Sequence, residues 1–103
     1  MDQVQSAAWS LDGPAPALAL APLPGAGAAL RQVHVKAGQV VTRHSHPHEQ
    51  FILILSGAGR LECEAGTIPL HPGTAIRFAP GAWHSAEFMA DTVLAEFNLA
   101  EGG

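Results

Sequence analysis

From position 30 to 99 the chain reads as a series of short segments, each cut off by Gly, Pro or Asp. Segments 30–36 and 40–46 alternate apolar and polar residues and stop at Gly38 and Pro47. Segment 51–55, Phe51-Ile52-Leu53-Ile54-Leu55, is apolar throughout and runs into Ser56-Gly57-Ala58-Gly59. Segments 61–64, 67–70, 75–78 and 84–88 are closed in turn by Gly66, Pro72-Gly73, Pro80-Gly81 and Asp91. Segment 92–99 is apolar with Glu96 and Asn98 interleaved. Alternation with a period of two marks a strand with one face buried. Repeated short strands separated by turn residues predict an all-β fold, a small antiparallel β-barrel or sandwich built from hairpins. No stretch holds a helical period over three turns.

Segment 51–55 is apolar at both parities, which predicts that both of its faces are covered. One face belongs to the barrel interior. The other calls for the N-terminal segment or a second subunit. Small β domains often close exposed edges by self-association, so a homodimer is expected. Residues 30–103 are expected to form the barrel. Residues 1–29 supply an edge strand around Trp9 and Leu11, then an Ala- and Pro-rich segment lying over the barrel. Pro14, Pro16, Pro22 and Pro24 exclude a regular helix there.

The chain has 103 residues, enough for one domain with a modest core. Net charge is −4, and the five basic residues (Arg31, Lys36, Arg43, Arg60, Arg77) stand singly. Without a basic stripe to track a phosphate backbone, no nucleic-acid partner is expected. No apolar run approaches the roughly 20 residues needed to cross a bilayer. The N-terminus lacks the basic-then-apolar pattern of a secretory signal. Cys63 is the sole cysteine, so no intrachain disulfide can form. A soluble, cytoplasmic protein without a membrane partner is expected.

The chemistry concentrates in residues 38–50 and 73–84. His44 and His46 stand two apart, a spacing that puts both imidazoles on one face of a strand. Two neutral imidazoles converging there suit a divalent transition metal rather than calcium or magnesium. His84 follows the Pro80-Gly81 turn, and an antiparallel neighbour would carry its ring to the first pair. Gln50 shares their parity, with Pro47 bending the chain between.

Together these blocks resemble the two motifs of the cupin superfamily. The first, Gly-x5-His-x-His-x3-4-(Glu or Gln)-x6-Gly, is matched by Gly38, His44, His46, Gln50 and Gly57. The second, Gly-x5-Pro-x-Gly-x2-His, is matched by Gly73, Gly81 and His84, with Ala79 where Pro is usual and Phe88 at a position often Asn. The resemblance implies a double-stranded β-helix, the cupin jelly roll. It also implies one divalent metal ion, iron, manganese, nickel, zinc or copper, held by His44, His46, Gln50 and His84. Family spacing selects Gln50 as the third ligand, and Glu49 remains the competitor. An amide ligand would leave the full charge of the ion in place; a carboxylate would cancel one unit.

His48 is expected beside the metal rather than on it, His34 and His71 to be structural or solvated, and Cys63 to be a small core residue. Arg43 and Arg77 are expected on the outer face, and Trp83 at the barrel mouth or in packing. The run His-x-His-Pro-His-Glu-Gln is most similar to small pectin-degradation cupins, which convert unsaturated uronates to open-chain keto sugars. Those add an acidic residue in the last strand and an Arg soon after. Glu96 falls near the acidic position and is the candidate general base, but no Arg follows Arg77. The function expected is a metal-dependent enzyme acting on a small polar or carboxylate-bearing molecule, of isomerase, cyclase or dioxygenase type. A non-catalytic module that binds or senses a metal or small ligand is the alternative.

Overall fold

The computed structural model describes Leu18–Ala19 and residues 23–99. Ten strands follow one another: β1 (Leu18–Ala19), β2 (Leu23–Pro24), β3 (Ala28–Val35), β4 (Val40–His44), β5 (Gln50–Ser56), β6 (Gly59–Cys63), β7 (Gly66–Leu70), β8 (Ala75–Phe78), β9 (His84–Phe88) and β10 (Thr92–Leu99). The described residues hold no helix, and so none long and apolar enough to cross a membrane. The strands form two antiparallel sheets. One has the order β1-β3-β10-β5-β8, with β2 also paired to β3; the other has the order β4-β9-β6-β7.

The eight longer strands fall where alternation and turn residues placed them. The ends differ by one or two residues at several strands, β6 starting at Gly59 and β7 at Gly66 within stretches read as turns, and two differences bear on the site. β3 begins at Ala28, inside the segment read as Ala- and Pro-rich covering, because β1 and β2 pair with it and give its early residues a ladder. β4 ends at His44, short of the expected stop at Pro47. Trp9 and Leu11 lie outside the described residues.

The inward faces of the sheets meet in a core of Val35, Ile52, Ile54, Leu61, Leu70, Phe78, Phe88 and Leu94. β5 shows why its sequence is apolar at both parities. Ile52 and Ile54 are buried in this core, whereas Phe51 and Leu53 face outward and line an apolar groove with Phe97 and Leu99. Gly57 fixes the crossing between β5 and β6. Its φ is 107°, and a Cβ there would meet Thr92 Cα at 2.6 Å and the Asp91 carbonyl at 2.7 Å, so the backbone approach excludes any side chain.

Candidate metal centre

The β4·β9 pair supplies the first two histidines. His44 closes β4, His84 opens β9, and the two are direct partners across the ladder. A register shift between Val41 and His44 marks a bulge, the kind of irregularity that re-aims a side chain. His46 lies two residues past the end of β4, so strand alternation does not place it as the spacing argument expected. A turn contact holds its segment instead. The amide of Gly81 donates to the His46 carbonyl at 2.7 Å, tying the Pro80-Gly81 turn to the segment that carries His46. Gly81 adopts φ 81°, a left-handed conformation that favours glycine.

The three rings converge. Centroids are 4.8 Å apart for His44 and His46, 4.2 Å for His44 and His84, and 5.6 Å for His46 and His84. One nitrogen from each lies within 4.8 Å of the others. His44 Nδ1 sits 2.9 Å from the Thr42 carbonyl. A carbonyl only accepts, so Nδ1 carries a proton, which leaves Nε2 as the ring nitrogen that could face a metal. His84 stacks on Phe78 at 4.1 Å, and its buried Nδ1 has no hydrogen-bond partner among the described residues. Burial, and then the neighbouring His44, hold His46 and His84 below the ordinary imidazole value of 6.5. Glu96 offsets part of this at both. Both rings are thus neutral at pH 7 and available as donors to a cation.

The facing sheet closes the site with polar groups. Gln50, buried at the start of β5, lines the same cavity of about 130 Å³ as the three histidines, and so does Glu96. Glu49, the competing residue, pairs its carboxylate with Arg77 Nε, and Arg77 is more than half exposed. Glu96 Oε1 accepts from Arg31 at 2.5 Å and from Asn98 Nδ2 at 3.1 Å. Asn98 Oδ1 lies 2.8 Å from Gln50 Nε2 and 3.0 Å from His48 Nε2. His48 also stacks on His46 at 5.1 Å.

The donor set fits a divalent transition metal: imidazole nitrogens, one of them oriented by a backbone carbonyl, converge beside an amide.

Sequence reasoning missed Arg31 and Asn98. The signal was present but long-range: Arg31 is the register partner of Glu96, and Asn98 that of Gln50. Arg31 shares its parity with Val33 and Val35, which line the cavity, so it takes up the inward row at the open end. The remaining candidates lie outside the cavity lining. Arg43 places its guanidinium 3.9 Å over the Trp83 ring, His34 hydrogen-bonds Gln32, His71 is exposed, and Cys63 is half-buried against the core.

The family model described as "Cupin domain" matches residues 31–97, and the chain belongs to that family. No curated protein matches. Among solved structures, a cupin superfamily protein from Desulfitobacterium hafniense superposes with a TM-score of 0.74 at 15% identity, covering 82% of this chain and 77% of its own. KdgF from Halomonas sp. gives 0.68 at 25% identity, covering 73% and 71%. The DMSP lyase DddQ from Ruegeria pomeroyi gives 0.67 at 23% identity, with 76% of this chain matched to 40% of that one.

Proposed function

We propose that this cupin is a metal-dependent enzyme acting on a small polar or carboxylate-bearing molecule at the open end of the barrel. The observation that carries the reading is the convergence of three histidines and a carboxylate on one accessible cavity. His44, His46 and His84 would hold the ion, with Gln50 as the fourth ligand. Gln50 is favoured over Glu49 because it is buried beside the rings, whereas Glu49 is engaged by Arg77. Iron, manganese, nickel, zinc or copper all suit such a set. A metal bound there would act as a Lewis acid on an oxygen of the substrate.

The chain's own groups divide the remaining work. Glu96 is the general base. Its Oε1 takes both the Arg31 and Asn98 contacts, leaving Oε2 to accept a proton. Arg31 holds that carboxylate in place as an ion pair. The cavity is small, so a compact molecule, or only the reacting end of a larger one, enters it.

The test is to incubate metal-loaded protein with uronates, diketones and small thiols, following products by NMR and oxygen uptake. Turnover that is lost in His84→Ala and slowed in Glu96→Gln supports the reading. Saturable binding without turnover across the panel supports the ligand-binding alternative.

Self-association belongs to the same reading. The outward groove beside Phe51 and Phe97, each 38% exposed and opposed in register, fits a second copy of the chain. A two-fold axis would bring this patch onto itself. Light scattering should return twice 10.7 kDa, and a mass near 10.7 kDa contradicts it.

A further inference from the structure

We infer that Asn98 is a positioning residue that fixes which end of the Gln50 amide faces the histidines, a reading that rests on Gln50 being a metal ligand. The argument is one of donors and acceptors passed along a chain. The Arg31 guanidinium can only donate, and it donates to Glu96. The Glu96 carboxylate paired with it can only accept, so the Asn98 group 3.1 Å from Oε1 must be the NH2. That choice turns Asn98 Oδ1 toward Gln50 and His48. An oxygen there accepts, so Gln50 presents its own NH2 to Asn98 at 2.8 Å, and His48 carries its proton on Nε2. The Gln50 oxygen is thereby turned away from Asn98. Only the oxygen of an amide offers a lone pair to a cation; an inverted amide would aim N–H groups at it.

The geometry that permits this relay is set by the sheet. Arg31 is opposite Glu96 on β3 and β10, and Gln50 is opposite Asn98 on β5 and β10. Glu96 and Asn98 stand two apart on β10, so all four share one face. The amide of Gln50 is therefore oriented by an ion pair that never touches it.

Cobalt(II) titration followed by visible absorption tests this, with Asn98→Leu and Asn98→Ala made in the parent and in a Gln50→Glu background. In the parent, losing the amide partner should weaken cobalt affinity about tenfold or more and alter the absorption bands. In the Gln50→Glu background the same substitutions should leave affinity unchanged or slightly higher, because a carboxylate has an oxygen at either end. An equal loss in both backgrounds would make Asn98 merely structural and overturn the inference, as would no loss in the parent. Melting of the metal-free variants identifies any that fail to fold, and the smaller Ala substitution then carries the comparison. Gln50→Ala separates the layers. If it leaves cobalt affinity intact while His84→Ala abolishes binding, the histidine centre stands and the role of Asn98 is refuted.

Discussion

The two ends of the barrel interior are made by the same strands, yet their chemistry is opposite. Four inward rows show it. On β3 it runs Val35, Val33, Arg31; on β10, Leu94, Glu96, Asn98; on β5, Ile54, Ile52, Gln50; on β9, Phe88, Ala86, His84. Each starts apolar and turns polar at the same end. Because neighbouring strands are antiparallel, the switch falls at the first residues of β3, β5 and β9 and at the last residues of β10. The apolar end carries stability through buried area. The open end spends part of that burial on groups that need partners, and supplies them as the Arg31–Glu96–Asn98–Gln50 relay and the Thr42 carbonyl under His44.

If the ends divide stability from chemistry, substitutions should separate the two. The largest effect is expected at the open end. His84→Ala should lower metal affinity by more than about a hundredfold, beyond what outer partners of ligands usually cost, while the metal-free fold survives by circular dichroism. At the apolar end Ile54→Ala should destabilise by about 2–5 kcal/mol in denaturant unfolding, with metal per folded chain unchanged. Retention of metal by His84→Ala, or its loss from folded Ile54→Ala, breaks the division.

Why the apolar end was legible from sequence and the open end only in part follows from range. Gly57, Gly66, Gly73 and Gly81 stand in turns where φ is positive, so local punctuation marks the strand ends, and period two marks the inward rows. Gln50 and the three histidines were visible because their spacing is that of a family motif. The reason first given for His44 and His46, a shared strand face, is not what joins them, since β4 ends between them and a turn contact holds the second. Arg31 and Asn98 could not be read, because their roles depend on partners 65 and 48 residues away and hence on the register of β10.

Smaller effects sharpen the contrast. Gly57→Ala forces a methyl against the Asp91–Thr92 backbone in a left-handed conformation; the φ alone costs about 1–3 kcal/mol and the clash adds to it, without changing metal affinity. The metal-free protein should also weaken in acid. His46 and His84 titrate below 6.5 when folded, so the unfolded chain binds more protons than the native one as pH drops past that value. Their contribution is complete above about 6.5 and is lost as pH falls through the folded values, which urea midpoints from pH 7.5 to 5 would trace. Least of all, Glu49→Gln removes only an exposed ion pair with Arg77. It should change stability by less than about 1 kcal/mol and leave metal affinity as it was, whereas a large loss of metal would put Glu49, not Gln50, on the ion.

The central claim is a metal centre at the polar end of the barrel. Elemental analysis tests it most directly, on protein purified without affinity tag or chelator and compared with His46→Ala prepared alongside. One iron, manganese, nickel, zinc or copper ion per chain, absent from the variant, is the result predicted here. Equal metal in both proteins, or none in the parent even after titration with each ion, would contradict it.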